Sequence, residues 1–213
     1  MDVETSDGAP ARILHPVSLT ITEPVVAIIG ANGSGKSTLL RLMAGLVQPT
    51  SGSVTFSPQA PRTGFVFANP QAQTVMPVVG EDIAFSLKQA GVPRAQRTQQ
   101  AAEILAGVQL EHRLDSSVYE LSSGERQKVA LAGVLAANPQ LVLADEPTTL
   151  LDLRSAADFQ ARLLGLGVPL VVATHDLDFA VQAQRVLVFD HGQLVADDEP
   201  PAAIAHYRRL ALA

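Results

Sequence analysis

Gly30-Ala31-Asn32-Gly33-Ser34-Gly35-Lys36-Ser37-Thr38 lies between an apolar run, Val25-Val26-Ala27-Ile28-Ile29, and a helical pattern, Leu39-Leu40-Arg41-Leu42-Met43-Ala44-Gly45. A buried strand that turns through glycines into a helix is the context in which G-x-x-x-x-G-K-S has a mechanism. Glycines let backbone N–H groups face inward with no side chain in the way, so such a loop can wrap phosphates. The helix opening at Lys36–Ser37 adds the partial positive charge of its N-terminus. Lys36 is placed to reach the β- and γ-phosphates, and the Ser37 hydroxyl to ligate Mg²⁺. The stretch therefore predicts a nucleoside triphosphate site built on Gly30–Thr38.

Composition narrows the rest. A chain of 213 residues, 47% hydrophobic, predicts one compact domain with a sizeable core. A net charge of -6 and the lack of a lysine- or arginine-rich tract argue against a nucleic-acid surface. Zero cysteine removes disulfides, thiolate chemistry and Cys-based metal sites, and agrees with a reducing compartment. The opening Met1-Asp2-Val3-Glu4-Thr5-Ser6-Asp7 is acidic and has no apolar centre, unlike a signal peptide. No run approaches the roughly 18 apolar residues that a spanning helix needs. The expectation is a soluble protein, or one held at a membrane by a partner.

Outward from the glycine loop, Arg12–Ile21 and Ser53–Phe56 read as strands by alternation, and Gly64–Phe67 as another. From Val79 to about Ala137 the pattern is mostly helical, with breaks at Gly91-Val92-Pro93 and Leu114-Asp115-Ser116. Leu141–Ala144 and Pro169–Ala173 are continuous apolar runs of the kind found in buried parallel strands, with a helix predicted over about Leu153–Leu164. Two strands, Arg185–Asp190 and Gln193–Ala196, join at His191–Gly192, and a short helix is expected near Ala202–Tyr207. The order predicts an α/β protein whose parallel-sheet nucleotide core carries a helical insertion at about residues 74–137.

Three further constellations bear on chemistry. Leu141–Ala144 ends in Asp145-Glu146. A carboxylate at the end of such a strand comes near the glycine loop, where Asp145 could hold Mg²⁺ through water. Glu146, one residue on, is placed to polarise an attacking water as general base. Leu121-Ser122-Ser123-Gly124-Glu125-Arg126-Gln127 opens a helix. Ser122-x-x-Glu125 is a capping box that needs no ligand, although a serine and a glycine N–H at a helix start also suit an anion. Thr174-His175-Asp176 ends the last core strand, where the imidazole serves either structure or contact with a γ-phosphate or the attacking water. His15, His112, His191 and His206 have no metal-ligand spacing.

Together these motifs resemble the ATP-binding cassette ATPases of membrane transporters, over nearly the whole chain. Gly30–Ser37 matches that family's Walker A motif, Leu121–Gln127 its signature and Leu141–Glu146 its Walker B. Leu150-Leu151-Asp152 looks like the D-loop and His175 like the switch histidine. The resemblance implies a P-loop NTPase of the cassette type, one domain over residues 1–213, with a mainly parallel core sheet, an antiparallel β subdomain and a helical subdomain. It further implies ATP and Mg²⁺ as ligands and a head-to-tail dimer, of like or unlike cassettes. Ser122, Ser123, Gly124 and Glu125 of one subunit would then close on the nucleotide of the other, with Asp152 linking the sites.

Val66-Phe67-Ala68-Asn69-Pro70-Gln71-Ala72-Gln73, followed by Glu81-Asp82-Ile83-Ala84-Phe85, is similar to the energy-coupling-factor importers of vitamins, biotin among them, or of cobalt and nickel. Those act at the cytoplasmic face of the membrane with a transmembrane coupling subunit, which docks on this region, and a substrate-binding membrane subunit. A soluble cassette ATPase working on ribosomes or DNA is the alternative; such proteins usually carry two cassettes or a long coiled-coil insertion. The chain departs from the family pattern in three places. Ala68 stands where the Q-loop glutamine is expected, with Gln71 and Gln73 the amides next in line to reach in. Gly8–Arg12 offers no aromatic ring to stack on adenine, and Ser123 replaces a signature glycine.

Overall fold

The computed structural model describes residues 1–4 and 10–212. Strands β1 (Asp2–Glu4), β2 (Pro10–Arg12) and β3 (Val25–Ile29) precede helix α1 (Lys36–Met43) and strand β4 (Thr63–Val66). Helices α2 (Val79–Gln89), α3 (Arg94–Gly107) and α4 (Ser123–Ala136) follow. Then come β5 (Leu141–Asp145), α5 (Leu153–Leu164), β6 (Leu170–Ala173), α6 (Leu177–Ala180), β7 (Arg185–Asp190), β8 (Gln193–Asp198) and α7 (Pro200–Ala211). The chain divides into two compact units. The first holds Met1–Ala60, Leu143–Glu146 and Pro169–Ala213; the second holds Pro61–Val142 and Pro147–Val168.

In the first unit the end of β5 is followed across the sheet by β6, β3, β7 and β8. β3 is parallel to β6 on one side, with Val25 opposite Leu170, and to β7 on the other, with Ile29 opposite Val188. β8 returns antiparallel to β7. Every residue of β6, and all but the first of β3, is buried, which explains why these strands are continuous apolar runs rather than alternating ones. Burying one such leucine or isoleucine contributes about 1.5–3 kcal/mol. α1 turns Leu39, Leu40 and Leu42 inward, so the helix that starts in the glycine loop is packed along its length.

The second unit is built around a helical core. Val79, Ile83 and Leu87 on α2 join Ala101 and Leu105 on α3 and Val129, Ala132 and Ala136 on α4 in one buried cluster. Spacings of three and four residues put each set on one helix face. Just before β4, the Arg62 carbonyl accepts from the N–H groups of Gln140 and Leu141, 2.7 and 3.3 Å away.

The mostly parallel sheet with its antiparallel edge and its helices is the α/β fold expected. Two strand expectations fail. Residues 13–24 and Ser53–Phe56 belong to no strand, so only Arg12, at the end of β2, is left of the first. Alternation marks an extended, half-buried chain, and a strand also needs a neighbour to bond along its length. The last helix is longer than expected, because Pro200 and Pro201 sit in its first turn, where their missing N–H groups cost nothing. Gly8–Arg12, the stretch without an adenine-stacking aromatic, falls in part outside the described residues. Among the described residues no helix is long and apolar enough to cross a membrane.

Candidate active site

In the first unit, β3 delivers the chain directly into the glycine loop. A Cβ at Gly30 would lie 2.1 Å from the Phe189 carbonyl oxygen and 2.6 Å from Ser34 Oγ, so no side chain fits there. Ala31, Asn32 and Gly33 are exposed, whereas Ser34, Gly35 and Lys36 are buried. Gly35, at φ 99°, caps α1 without a side-chain bond, and no acidic residue follows in the first turn. The N-terminal N–H groups and partial positive charge of α1 are thus left for an anion.

Lys36, 5% exposed, turns its ammonium back over the loop, donating to the carbonyls of Gly30 (2.8 Å) and Ala31 (3.0 Å). Burial pushes its pKa below the ordinary lysine value of 10.5, and the carboxylates of Glu146 and Asp145 pull it partly back. Ser37 Oγ donates to Asp145 Oδ1 at 2.7 Å, a charge-assisted bond that ties α1 to the end of β5. Glu146 follows with φ 47°, a left-handed conformation that is uncommon outside glycine, and its N–H is held by the Ala173 carbonyl at 2.9 Å. Its carboxylate lies with Oε1 3.7 Å from Lys36 Nζ and Oε2 2.6 Å from His175 Nδ1. Five sequence-predicted residues, Lys36, Ser37, Asp145, Glu146 and His175, therefore converge. Asp176 holds the chain after His175 by capping α6, accepting from the N–H groups of Asp178 and Phe179.

Thr38 is half-buried on α1, and the remaining predicted residues lie in the second unit. Ser122 caps α4, and the capping box is complete: Ser122 Oγ accepts from Glu125 N–H at 3.2 Å, and Glu125 Oε2 from Ser122 N–H at 2.9 Å. Ser123 is exposed beside it. Arg113 donates through Nε and Nη2 to Glu125 Oε1, 2.8 Å in each case, fixing the same carboxylate from its other side. The Ser122 N–H, then Arg113, hold the Glu125 pKa below the ordinary 4.5. Because the folded value is the lower one, the stability this carboxylate contributes is full above pH 4.5 and is lost as pH falls through the folded value. Glu125→Gln is accordingly expected to melt below wild type at pH 7, with the difference closing once the wild-type carboxyl is protonated; a gap that persists at low pH would refute the assignment.

Asp152 caps α5, accepting at Oδ1 from the N–H groups of Arg154 and Ser155 (3.0 Å each), while Ser155 Oγ donates to Oδ2 at 2.8 Å. Those bonds, the Ser155 N–H first, hold its pKa below the ordinary 3.8. Ser155 also backs the signature loop, since a Cβ at Gly124 would lie 3.1 Å from Ser155 Oγ. Sequence reasoning misses Ser155, although Asp152-x-x-Ser155 at a helix start is a legible cap pattern.

Near the expected Q-loop, Ala68 is half-buried and Gln71 exposed. Gln73 is not free to reach elsewhere. Its amide donates to the carbonyls of Phe65 (3.1 Å) and Ala130 (3.2 Å), and its Oε1 accepts from Phe67 N–H (3.3 Å). It works as a strut between β4 and α4.

Known proteins resemble this chain in sequence and in fold. The profile of the ABC transporter family matches residues 14–149. BioM of Rhizobium etli, a biotin transport ATP-binding protein, is 40% identical over 210 residues, covering 94% of each chain. The chain belongs to the ABC transporter family. It is an ATPase subunit of the ABC type, in which ATP hydrolysis is coupled to transport. Another relative is EcfA1 of Halalkalibacterium halodurans, an energy-coupling factor transporter ATP-binding protein. It is 38% identical over 195 residues, covering 85% of this chain and 70% of that one. A dimeric ATP-binding cassette solved in a post-hydrolysis state with ADP and Pi matches with a TM-score of 0.81 at 27% identity. That match covers 93% of this chain and 95% of the other.

Proposed function

We propose that this chain is the ATP-hydrolysing motor of an energy-coupling-factor importer of biotin. In this reading residues 1–213 are one cassette, with a helical subdomain inserted at about 74–137. Two cassettes pair at the cytoplasmic face of the membrane, served by a transmembrane coupling subunit and a substrate-binding membrane subunit. The observation that carries the ATPase chemistry is the convergence of Lys36, Ser37, Asp145, Glu146 and His175 at the glycine loop. The likeness to BioM over nearly the full length of both chains favours biotin as the cargo.

The donor set at the loop suits Mg²⁺. The Ser37 hydroxyl and the Asp145 carboxylate meet at 2.7 Å, both offering the hard oxygen ligands that this ion takes. Bound there, Mg²⁺ would neutralise charge on the terminal phosphates. Lys36 and the amides of Gly30–Thr38 hold those phosphates, Lys36 exchanging its two loop carbonyls for phosphate oxygens. Glu146 takes a proton from the attacking water, oriented by its bond to His175, and the products are ADP and phosphate. Ser122, Ser123, Gly124 and Glu125 of the opposite cassette close the site, and Asp152, bonded to Ser155 beneath Gly124, couples the two sites.

For the coupling subunit, support comes from a groove of about 320 Å³ in the second unit, lined by Gln71, Thr74, Val75, Met76, Tyr119 and Arg126. Tyr119 and Val75, 80% and 64% exposed, both line this groove and together give it apolar surface that a partner could cover. The buried Asp82 fixes one wall by accepting at Oδ1 from the N–H groups of Val75 (2.7 Å) and Met76 (2.9 Å).

The decisive experiment is transport. Deleting this chain from its host should abolish uptake of labelled biotin, and the tagged chain should co-purify with integral membrane subunits. Loss of uptake of another vitamin, of cobalt or of nickel instead would reassign the cargo, and intact uptake of all of them would sink the importer reading. Ala68→Gln restores an amide where the family has one, and is expected to raise ATP turnover or its coupling to transport. Unchanged rates would show that the position has no influence here.

A further inference from the structure

The glycine loop is gripped from outside its own motif. Near the end of β7 the Phe189 carbonyl oxygen comes so close to Gly30 that a Cβ there is excluded. The chain then turns at His191–Gly192, and the Gly192 N–H donates to the Ser34 carbonyl at 3.1 Å. On the far side of the turn, the Gly192 carbonyl accepts from the His15 N–H at 2.8 Å. Residues 13–15 meet the loop as well: a Cβ at Gly35 would lie 3.0 Å from the Ile13 carbonyl oxygen and 3.5 Å from Gly192 Cα. Ser34 is 3% exposed, and its Oγ has no hydrogen-bond partner among the described residues. The buried middle of the loop is therefore held through its backbone, by the turn.

The turn is built under strain. His191 takes φ 44° while 94% of its side chain is in solvent, its imidazole reaching Asp190 Oδ1 at 3.9 Å. Gly192 takes φ 76°, and a Cβ on it would sit 2.5 Å from the Ile13 carbonyl oxygen and 3.1 Å from its carbon. Two consecutive left-handed residues of this kind make a tight hairpin, and here the hairpin carries its N–H to Ser34.

We propose that the His191–Gly192 turn is a positioning element for the phosphate loop, and that Gly192 is a positioning residue for nucleotide binding. The inference rests on the reading of Gly30–Thr38 as the nucleotide site and deepens it. Any side chain at position 192 pushes the turn off Ile13, takes the N–H from Ser34 and loosens the loop amides that face the phosphates. Asp145, Glu146 and His175 lie at or just past the ends of other strands and keep their places. The defect is therefore one of affinity, not of the chemical step.

The test compares the full-length wild type with Gly192→Ala and Gly167→Ala. Gly167 has a similar φ of 70° with nothing within 4 Å of an added Cβ, so it brings backbone strain without touching the loop. Gly192→Ala is expected to raise the Kd and KM for ATP about tenfold or more, with kcat at saturating ATP within about threefold of wild type. Gly167→Ala should lower Tm and leave KM unchanged. An unaltered KM in Gly192→Ala, an equal rise in Gly167→Ala, or a fall in kcat at constant KM each overturns the proposal. Should Gly192→Ala fail to fold, hydrogen exchange on the wild type decides. The peptide over 190–194 should slow on adding ATP, and unchanged exchange refutes the link. Wild type that does not bind ATP would instead sink the nucleotide reading, and this inference with it.

Discussion

Glu146→Gln is expected to cut ATP turnover by about a hundred- to ten-thousandfold, the range lost when a positioned general base is removed. The amide keeps the size of the side chain and a hydrogen bond to His175 Nδ1, now 2.6 Å from Oε2. What it loses is the basic lone pair that takes the proton from water. The same change removes the carboxylate 3.7 Å from Lys36 Nζ, which competes with phosphate for the ammonium, so ATP affinity should hold or rise. Binding without hydrolysis should then accumulate the closed pair of cassettes. Phosphate release gives the first quantity, and light scattering on a sizing column, in Mg·ATP and in nucleotide-free buffer, gives the second. Turnover within a few-fold of wild type would remove Glu146 from the chemistry. A monomer in both buffers would mean that this chain pairs only with a different cassette or with its membrane subunits in place.

Lys36→Ala should act on the other term, weakening ATP about a hundredfold. A hydrogen bond to a charged group contributes about 1.5–3 kcal/mol, and the ammonium offers the loop two donors, presently spent on the Gly30 and Ala31 carbonyls at 2.8 and 3.0 Å. Because Lys36 is only 5% exposed, its ammonium is poorly solvated before nucleotide arrives, and phosphate oxygens give back what water no longer does. Fluorescent-nucleotide titration measures the loss. An affinity within threefold of wild type would show that the loop amides alone hold the phosphates. Lys36→Ala should also fail to form the ATP-dependent pair that Glu146→Gln accumulates, so the two variants separate binding from hydrolysis.

Much of this was legible in residue order. The glycine loop, Asp145 and Glu146 at a strand end, and the Ser122–Glu125 box are patterns within a few neighbouring residues, where local geometry dictates spacing. The α/β class followed from apolar runs alternating with helical periods, and α5 begins at Leu153, where the helical pattern placed it. The strands expected at residues 12–21 and 53–56 failed for the opposite reason. Whether an alternating stretch becomes a strand depends on an edge supplied from elsewhere in the chain. Gln73 shows the same limit: an amide next to the Q-loop position is indistinguishable by spacing from a site residue, until its bonds to Phe65 and Ala130 are seen.

By itself the sequence determined which groups are present and which of them are neighbours along the chain: a phosphate loop, an acidic pair, a capped signature helix. Only the tertiary structure decided which of these meet. Lys36, Asp145, Glu146 and His175 come from three strand ends, brought side by side because β3, β6 and the end of β5 lie in one sheet with their C-terminal ends together. The grip of Gly192 on Ser34 has no local signature at all, since it joins residues far apart in the chain through backbone atoms that every amino acid carries. Side-chain chemistry is written in the sequence residue by residue. Backbone contacts between distant segments exist only once the sheet has formed.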